Sequence, residues 1–219
     1  MHTFLGVLCV LLPRAGGDHP PGGHHAAHGN PADLGAYIAH LEDPARDAWQ
    51  KPDELVKALG LKPGQVACDV GAGPGYFSLR LARAVGPTGR VFAVDVEPGI
   101  LAALVERLTR AKVQNVTPVL GAPDDPLLPA GACDTLLVVD TYHHFPDRVA
   151  YLGRLKAAVK RGGTLVIVDF HKRPLPVGPP PERKLSREQV LQEAAQAGWK
   201  LSAEHALLPH QYVLVFQPG

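Results

Sequence analysis

The residues with the clearest chemical content are Val66-Ala67-Cys68-Asp69-Val70-Gly71-Ala72-Gly73-Pro74-Gly75-Tyr76-Phe77. An apolar run carries a carboxylate, Asp69, and passes directly into alternating glycines. Glycine leaves the backbone uncovered, so a ligand can come close to it. Free amides of such a loop face whatever polar or anionic group docks at the N-terminus of the helix that follows. A second apolar run, Arg90 to Val96, carries Asp95, twenty residues beyond Gly75. A carboxylate there can accept from both hydroxyls of a ribose, as in nucleotide-binding βαβ units. Together, type and spacing imply a nucleoside-containing cofactor.

The glycine spacing narrows the choice. A dinucleotide site uses G-x-G-x-x-G, with a small third residue where helix and strand pack closely. This chain has G-x-G-x-G at Gly71, Gly73 and Gly75, and Tyr76 stands where that small residue belongs. Asp69, just before the loop, repels a pyrophosphate and attracts an ammonium group. In this motif, acidic-x-G-x-G-x-G, the chain resembles the class I S-adenosylmethionine-dependent methyltransferases. The resemblance covers roughly residues 52 to 216. It implies that Gly71, Ala72, Gly73 and Gly75 line the methionine portion of S-adenosylmethionine, with Asp69 near its ammonium group. It further implies that Asp95 holds the ribose and Val96 lies against the adenine. Asp124, in the loop after the third strand, is the candidate to accept from the adenine amino group. A non-catalytic cofactor-binding protein of this fold and an NAD-type oxidoreductase are the alternatives. Tyr76 and Asp69 argue against the latter.

Chemistry at an acceptor requires further groups. Asp140-Thr141-Tyr142-His143-His144-Phe145 follows a buried, aliphatic fourth strand. A paired histidine at this place resembles the ubiquinone/menaquinone-type branch of the family. Imidazole titrates near neutrality, so His143 is a candidate general base. The structural alternative is that a histidine caps the helix expected from Pro146. Asp140 ends an apolar strand and is expected to line the acceptor pocket. His171-Lys172-Arg173, followed by Pro174, Pro176 and Pro179-Pro180-Pro181, is too long and proline-rich for a simple connector. Polyproline is stiff, which suits a preformed wall over a substrate. Trp49, just before Lys51-Pro52, either covers the cofactor or packs in the core.

These groups need a frame, and the periodicity supplies one. Strands are expected at Gln65 to Val70, Arg90 to Val96, Val116 to Leu120, Thr135 to Asp140 and Thr164 to Asp169, with helices between them. Helices are expected at Tyr37 to Leu41, from Pro52 to Gly60, Tyr76 to Val85, Pro98 to Ala111 and Pro146 to Val159. The last of these would end on Lys160-Arg161-Gly162-Gly163, cations and glycines that suit a helix C-terminus. Ser186-x-x-Gln189 opens another helix as a capping box, and Trp199 to Leu207 with Gln211 to Phe216 reads as a closing antiparallel pair. Alternating strands and helices imply an α/β, doubly wound, mostly parallel sheet. The resemblance implies seven strands with a C-terminal antiparallel hairpin. Ligands of such sheets bind beyond the carboxyl ends of the strands, where every candidate group falls.

Composition sets outer bounds. The 219 residues, 46% hydrophobic and 20% charged, suffice for a sizeable core. A net charge of +1 provides no global field favouring nucleic acid, and a small-molecule acceptor is the expected partner. Cys9, Cys68 and Cys133 lack C-x-x-C spacing, so no disulfide or zinc framework is expected and no metal site is assigned. Cys68 and Cys133 read as small core residues. Three segments are expected: a signal-like or disordered stretch over 1–17, a His/Gly/Pro-rich linker over 18–32, and the domain over 33–219. Phe4 to Leu12 is too short to span a bilayer and resembles a secretory h-region. Localisation is accordingly exported or cytoplasmic. His19, His24, His25 and His28 lie in the linker, where such tracts either bind metal or serve as flexible spacers.

Overall fold

A computed structural model describes residues 33–219. The expectations for the apolar start and the histidine tract therefore lie outside the described residues. Three helices come first: α1 (Leu34–Leu41), α2 (Asp47–Gln50) and α3 (Pro52–Ala58). The parallel repeat follows as β1 (Val66–Val70), α4 (Ser78–Val85), β2 (Arg90–Asp95), α5 (Pro98–Ala111), β3 (Val116–Leu120), β4 (Cys133–Val139), α6 (Arg148–Ala158) and β5 (Val159–Phe170). The chain closes with α7 (Arg187–Gln196), β6 (Trp199–His205) and β7 (Gln211–Pro218).

The sheet has seven strands in the order β3-β2-β1-β4-β5-β7-β6. It is an α/β, doubly wound arrangement with all pairs parallel except those that β7 makes with β5 and β6. Strand residues alternate between two cores, as a period of two requires. Ala67, Leu137 and Val166 pack against α3, α4 and α5, whereas Cys68, Leu136 and Leu165 pack against α6 and α7. Burial on both faces explains why these strands read as continuous apolar runs.

Three expectations need correction. First, Cys68 and Cys133 are fully buried and joined by a disulfide. Their separation of 65 residues hid the pairing. The strand order makes β1 and β4 direct neighbours, and that adjacency brings the two sulfurs together. Second, α6 stops at Ala158, and Val159 is already extended. Residues 160–163 instead enter β5 through an irregularity in its pairing with β4, and Lys160 Nζ reaches Asp134 at 2.7 Å. The cation thus serves a strand entrance, not a helix end. Third, the helix expected over Tyr37 to Leu41 begins three residues earlier, at Leu34, with Asp33 as its N-cap.

Candidate active site

At the carboxyl end of β1 the glycine loop is held from beneath. Asp69 is 2% exposed and accepts from Ser78 Oγ at 2.6 Å. Burial pushes its carboxyl up to about 7 against the opposing pull of that hydrogen bond. The expected ammonium partner is thus covered and braces the start of α4. Tight packing dictates two of the glycines. A Cβ on Gly71 would lie 2.1 Å from Thr141 Oγ1, and one on Gly75 would lie 2.5 Å from Leu104, with positive φ at both. The expectation of free loop amides is corrected as well. Gly71 and Ala72 donate to the Val94 carbonyl, Gly75 donates to Ala72, and Gly73 donates to Asp95 Oδ2 at 2.9 Å. The loop is therefore pre-set by its own hydrogen bonds, with Asp95 as their outer anchor.

Asp95 also accepts from Glu97 N at 3.1 Å. A carboxylate has about four acceptor positions, so both hydroxyls of a ribose can still be accommodated. Burial raises its pKa, and backbone N–H groups pull the other way. Val96 is 52% exposed, as is Leu120, which pairs with Asp95 in register. A polar anchor flanked by uncovered apolar side chains fits a nucleoside. Asp124 is exposed and paired with Arg154 at 3.5 Å, in the turn closed by Ala122 and Asp125. Above this region lies α1, with Leu41 beside Gly73, Leu34 against Gly99, and Glu42 on Arg107 at 3.2 Å. Shallow surface hollows of about 390 and 510 Å³ lie elsewhere, between α3 and α4 and beside α5 and β3.

The second cluster sits at the ends of β4, β5 and β7. Asp140 follows β4 with φ +54, a left-handed conformation that is strained for a non-glycine residue. Its Oδ1 accepts from Gln211 Nε2, and its Oδ2 faces Arg46 Nη2 at 3.7 Å. Gln50 Nε2 donates to Gln211 Oε1 at 2.7 Å, and Arg46 Nη2 returns to Gln50 Oε1 at 3.1 Å. This closes a ring of four side chains. Burial first, and the Asp169 charge second, push the Asp140 carboxyl up to about 7.

His143 Nδ1 lies 2.9 Å from Asp169 Oδ2. The capping alternative is excluded, because α6 is N-capped by Asp147, whose side chain accepts from Ala150 N. Burial alone lowers the His143 pKa, but the hydrogen bond and charge of Asp169, with the charge of Asp140, outweigh it and hold the pKa above the ordinary value. Nearby, Phe170 is covered by Trp49 (5.6 Å between rings), by Gly178 and by Lys184. The proline-rich segment is thus packed onto the end of β5, and Lys184 Nζ ties it to the Arg173 carbonyl at 2.9 Å. Trp49 belongs to this wall.

Sequence reasoning assigned no role to Arg46, Gln50, Gln211 or Asp169. Only Asp169 carried a signal, the one used for Asp140: a carboxylate ending an aliphatic strand. Tyr76, the residue that breaks the dinucleotide pattern, lies under the Arg46 and Arg80 guanidiniums at 4.4 and 4.5 Å, and its hydroxyl donates to Asp47. It fastens the N-terminal helices to the loop.

Comparison with known proteins agrees with this geometry. The family described as a methyltransferase domain matches residues 67–163. A solved S-adenosylmethionine-dependent methyltransferase from Aquifex aeolicus superimposes with a TM-score of 0.79 at 27% identity, over 83% of this chain and 96% of that one. The chain is similar to the S-adenosylmethionine-dependent methyltransferases in its central domain and in its fold. This chain is also 29% identical, over 129 residues, to the demethylmenaquinone methyltransferase of Staphylococcus aureus strain JH9. That match covers 59% of this chain and 52% of the relative, so it spans about half the length of the curated protein. The mitomycin 7-O-methyltransferase MmcR shares the fold alone, with a TM-score of 0.63 and 17% identity over 84% of this chain and 60% of that one. Among the described residues no helix is long and apolar enough to cross a membrane.

Proposed function

We propose that this protein transfers the methyl group of S-adenosylmethionine to a small-molecule acceptor held beyond β4 and β5. The observation that carries the reading is the link from Gly73 N to Asp95 Oδ2, which joins the glycine loop to an acid at the tip of β2. On this reading Gly71, Ala72, Gly73 and Gly75 border the methionine portion, and Asp69 stiffens the loop from below. Asp95 takes the ribose, Val96 lies against the adenine, and Asp124 stands near the adenine amino group. The cofactor supplies an electrophilic methyl on a sulfonium with a neutral leaving group. The protein then needs chiefly to position the acceptor about 3 Å from that methyl. Asp140, His143 and the segment from His171 to Pro181 are the groups that the chain offers there.

Calorimetry tests the reading directly. S-adenosylmethionine and its demethylated product should bind, and NAD should not. Binding of NAD alone would overturn the assignment. The disulfide bears on location as well, since such bonds persist in oxidising compartments. We infer export on that ground. Thiol labelling of protein taken unreduced from its source should find Cys68 and Cys133 blocked, and free thiols there would argue for the cytoplasm.

A further inference from the structure

The chain ahead of β1 is held in two different ways. Its last helix, α3, is packed into the core through Pro52, Leu55 and Val56. From Asp33 to Trp49, in contrast, no residue is buried. Rim and polar contacts hold that stretch. Leu34 lies against Gly99 and Leu41 beside Gly73, so α1 runs from the start of α5 to the glycine loop. Tyr37 and Ile38 fall one helical turn from each of those leucines, on the same face. Burial first, then the Asp95 charge, push the Tyr37 phenol up, and the Arg46 guanidinium pulls it down, so the ring stands within electrostatic reach of both. The segment then crosses to the acceptor side. Arg46 Nη1 donates to the Leu41 carbonyl at 2.6 Å while its Nη2 faces Asp140, and Trp49 rests on Phe170. Gln50 is the first buried residue, and its amide is committed to Gln211 of β7. Lys51 follows with φ +42 and ψ +56, a left-handed joint between α2 and α3 that is strained for lysine. Pro52, with its locked φ, stiffens the far side of that joint.

We propose that residues 34–50 form a cover over both halves of the site, hinged at Lys51 and latched by Arg46 and Gln50 on Asp140 and Gln211, and that the cover swings away to exchange the cofactor. Only the identity of the ligand it admits rests on the methyl-transfer reading. Hinges are single loop or element-terminal residues that absorb a large backbone change, and Lys51 is such a residue between a packed helix and an unpacked stretch. The latch is polar, so water replaces each partner when it opens and the net cost is small. Moving α3 would instead expose apolar side chains, a far larger cost. Elements with few buried apolar contacts are the ones that open locally. Lifting the cover uncovers Gly73 and Asp95 and, in the same motion, withdraws the Arg46 guanidinium from Asp140. The acceptor side is therefore complete only while the cofactor side is closed.

Hydrogen exchange read by mass spectrometry tests the hinge in the unaltered protein without any ligand. Amides of residues 36–50 should exchange about tenfold or more faster than those of α3. Equal protection of the two would overturn the proposal whether or not any variant folds. Gln50→Ala should raise exchange in residues 36–50 about fivefold, the effect of one lost hydrogen bond, and leave α7 unchanged. Arg46→Gln, at a half-buried position, should do the same. No rise in either variant would overturn the latch. S-adenosylhomocysteine is the ligand probe. Its binding rate in stopped flow should level off as its concentration rises, at a limit that Gln50→Ala raises. Release should quicken with it, so affinity by calorimetry should stay within about threefold. A rate that climbs linearly throughout would overturn the gating. Saturation with the probe should slow exchange in residues 36–50 about tenfold, and calorimetric binding without that slowing would show that the segment covers nothing. Absence of calorimetric binding would instead remove the methyltransferase reading, while the ligand-free comparison still decides the hinge.

Discussion

The two halves of the site are built differently. On the cofactor side the working parts are backbone: a glycine loop whose amides are spent on Val94, Ala72 and Asp95, joined to one carboxylate. On the acceptor side they are side chains drawn from positions 46, 50, 140, 143, 169 and 211, tied in one ring of four and one histidine–aspartate pair. The first half is also enclosed covalently, because the Cys68–Cys133 bond closes a loop containing β2, α5 and β3. The second half has no such staple among the described residues. A backbone site holds a constant ligand, and a side-chain site can be altered residue by residue without disturbing it.

The largest effect expected from breaking this asymmetry comes from the disulfide. Closing 65 residues contributes about 4 kcal/mol on the chain-entropy estimate. The Cys68→Ala/Cys133→Ala variant should melt roughly 8–16 °C lower in calorimetry, and a reductant should shift the unaltered protein the same way. A melt insensitive to both would mean that the cofactor half does not depend on its staple. Next in size is Asp95→Ala, which should weaken cofactor binding by about 2–4 kcal/mol. His143 should titrate as before in that variant. A disturbed His143 would show that the halves are not separable.

The halves touch at one tight point, Gly71 against Thr141. Gly71→Ala forces a Cβ to within 2.1 Å of Thr141 Oγ1 at φ +78, and should destabilise by about 1–3 kcal/mol in urea denaturation. Adding Thr141→Gly should recover part of the loss. No recovery would assign all of it to backbone strain.

The smallest effect concerns Asp140. Its folded carboxyl titrates near 7, well above the value of an unfolded chain, so the native state holds a proton that the unfolded state releases. Stability should therefore fall as pH rises from about 4 to 7 and level off above that window. Asp140→Asn removes this group, so its loss across the same window should be smaller by about 1–2 kcal/mol. Cofactor affinity should stay within about threefold while turnover drops. An unchanged slope in urea titrations at both ends of the window would deny the buried charge its role.

The same contrast decides what was legible in the sequence. The loop, Asp95 and the alternation of strands with helices were readable, because backbone requirements leave a local mark: glycines at fixed offsets, a carboxylate ending an apolar run, a period of two. Asp140 and His143 were readable as chemistry-bearing residues at strand ends, and the histidine pair marked the place. Their partners were not. Gln50 and Gln211 are 161 residues apart and meet only because β7 inserts beside β5. Nothing in a lone glutamine announces a contact at that distance. The disulfide was missed for the same reason, and the end of α6 because glycines and cations suit an irregular strand entrance as well as a helix cap.

The insertion of β7 also has a consequence in time. During synthesis β5 and β6 leave the ribosome before the strand that must separate them, so they cannot pair with each other without blocking β7. Until residue 211 is delivered, Asp140 lacks its amide donor, and two strand edges stand open to other chains. The glycine loop, Asp95, Asp124 and the staple at Cys133 are all delivered by residue 133, whereas the acceptor side is finished only when β7 arrives. A nascent chain can thus assemble the cofactor half well before it has anywhere to send a methyl group.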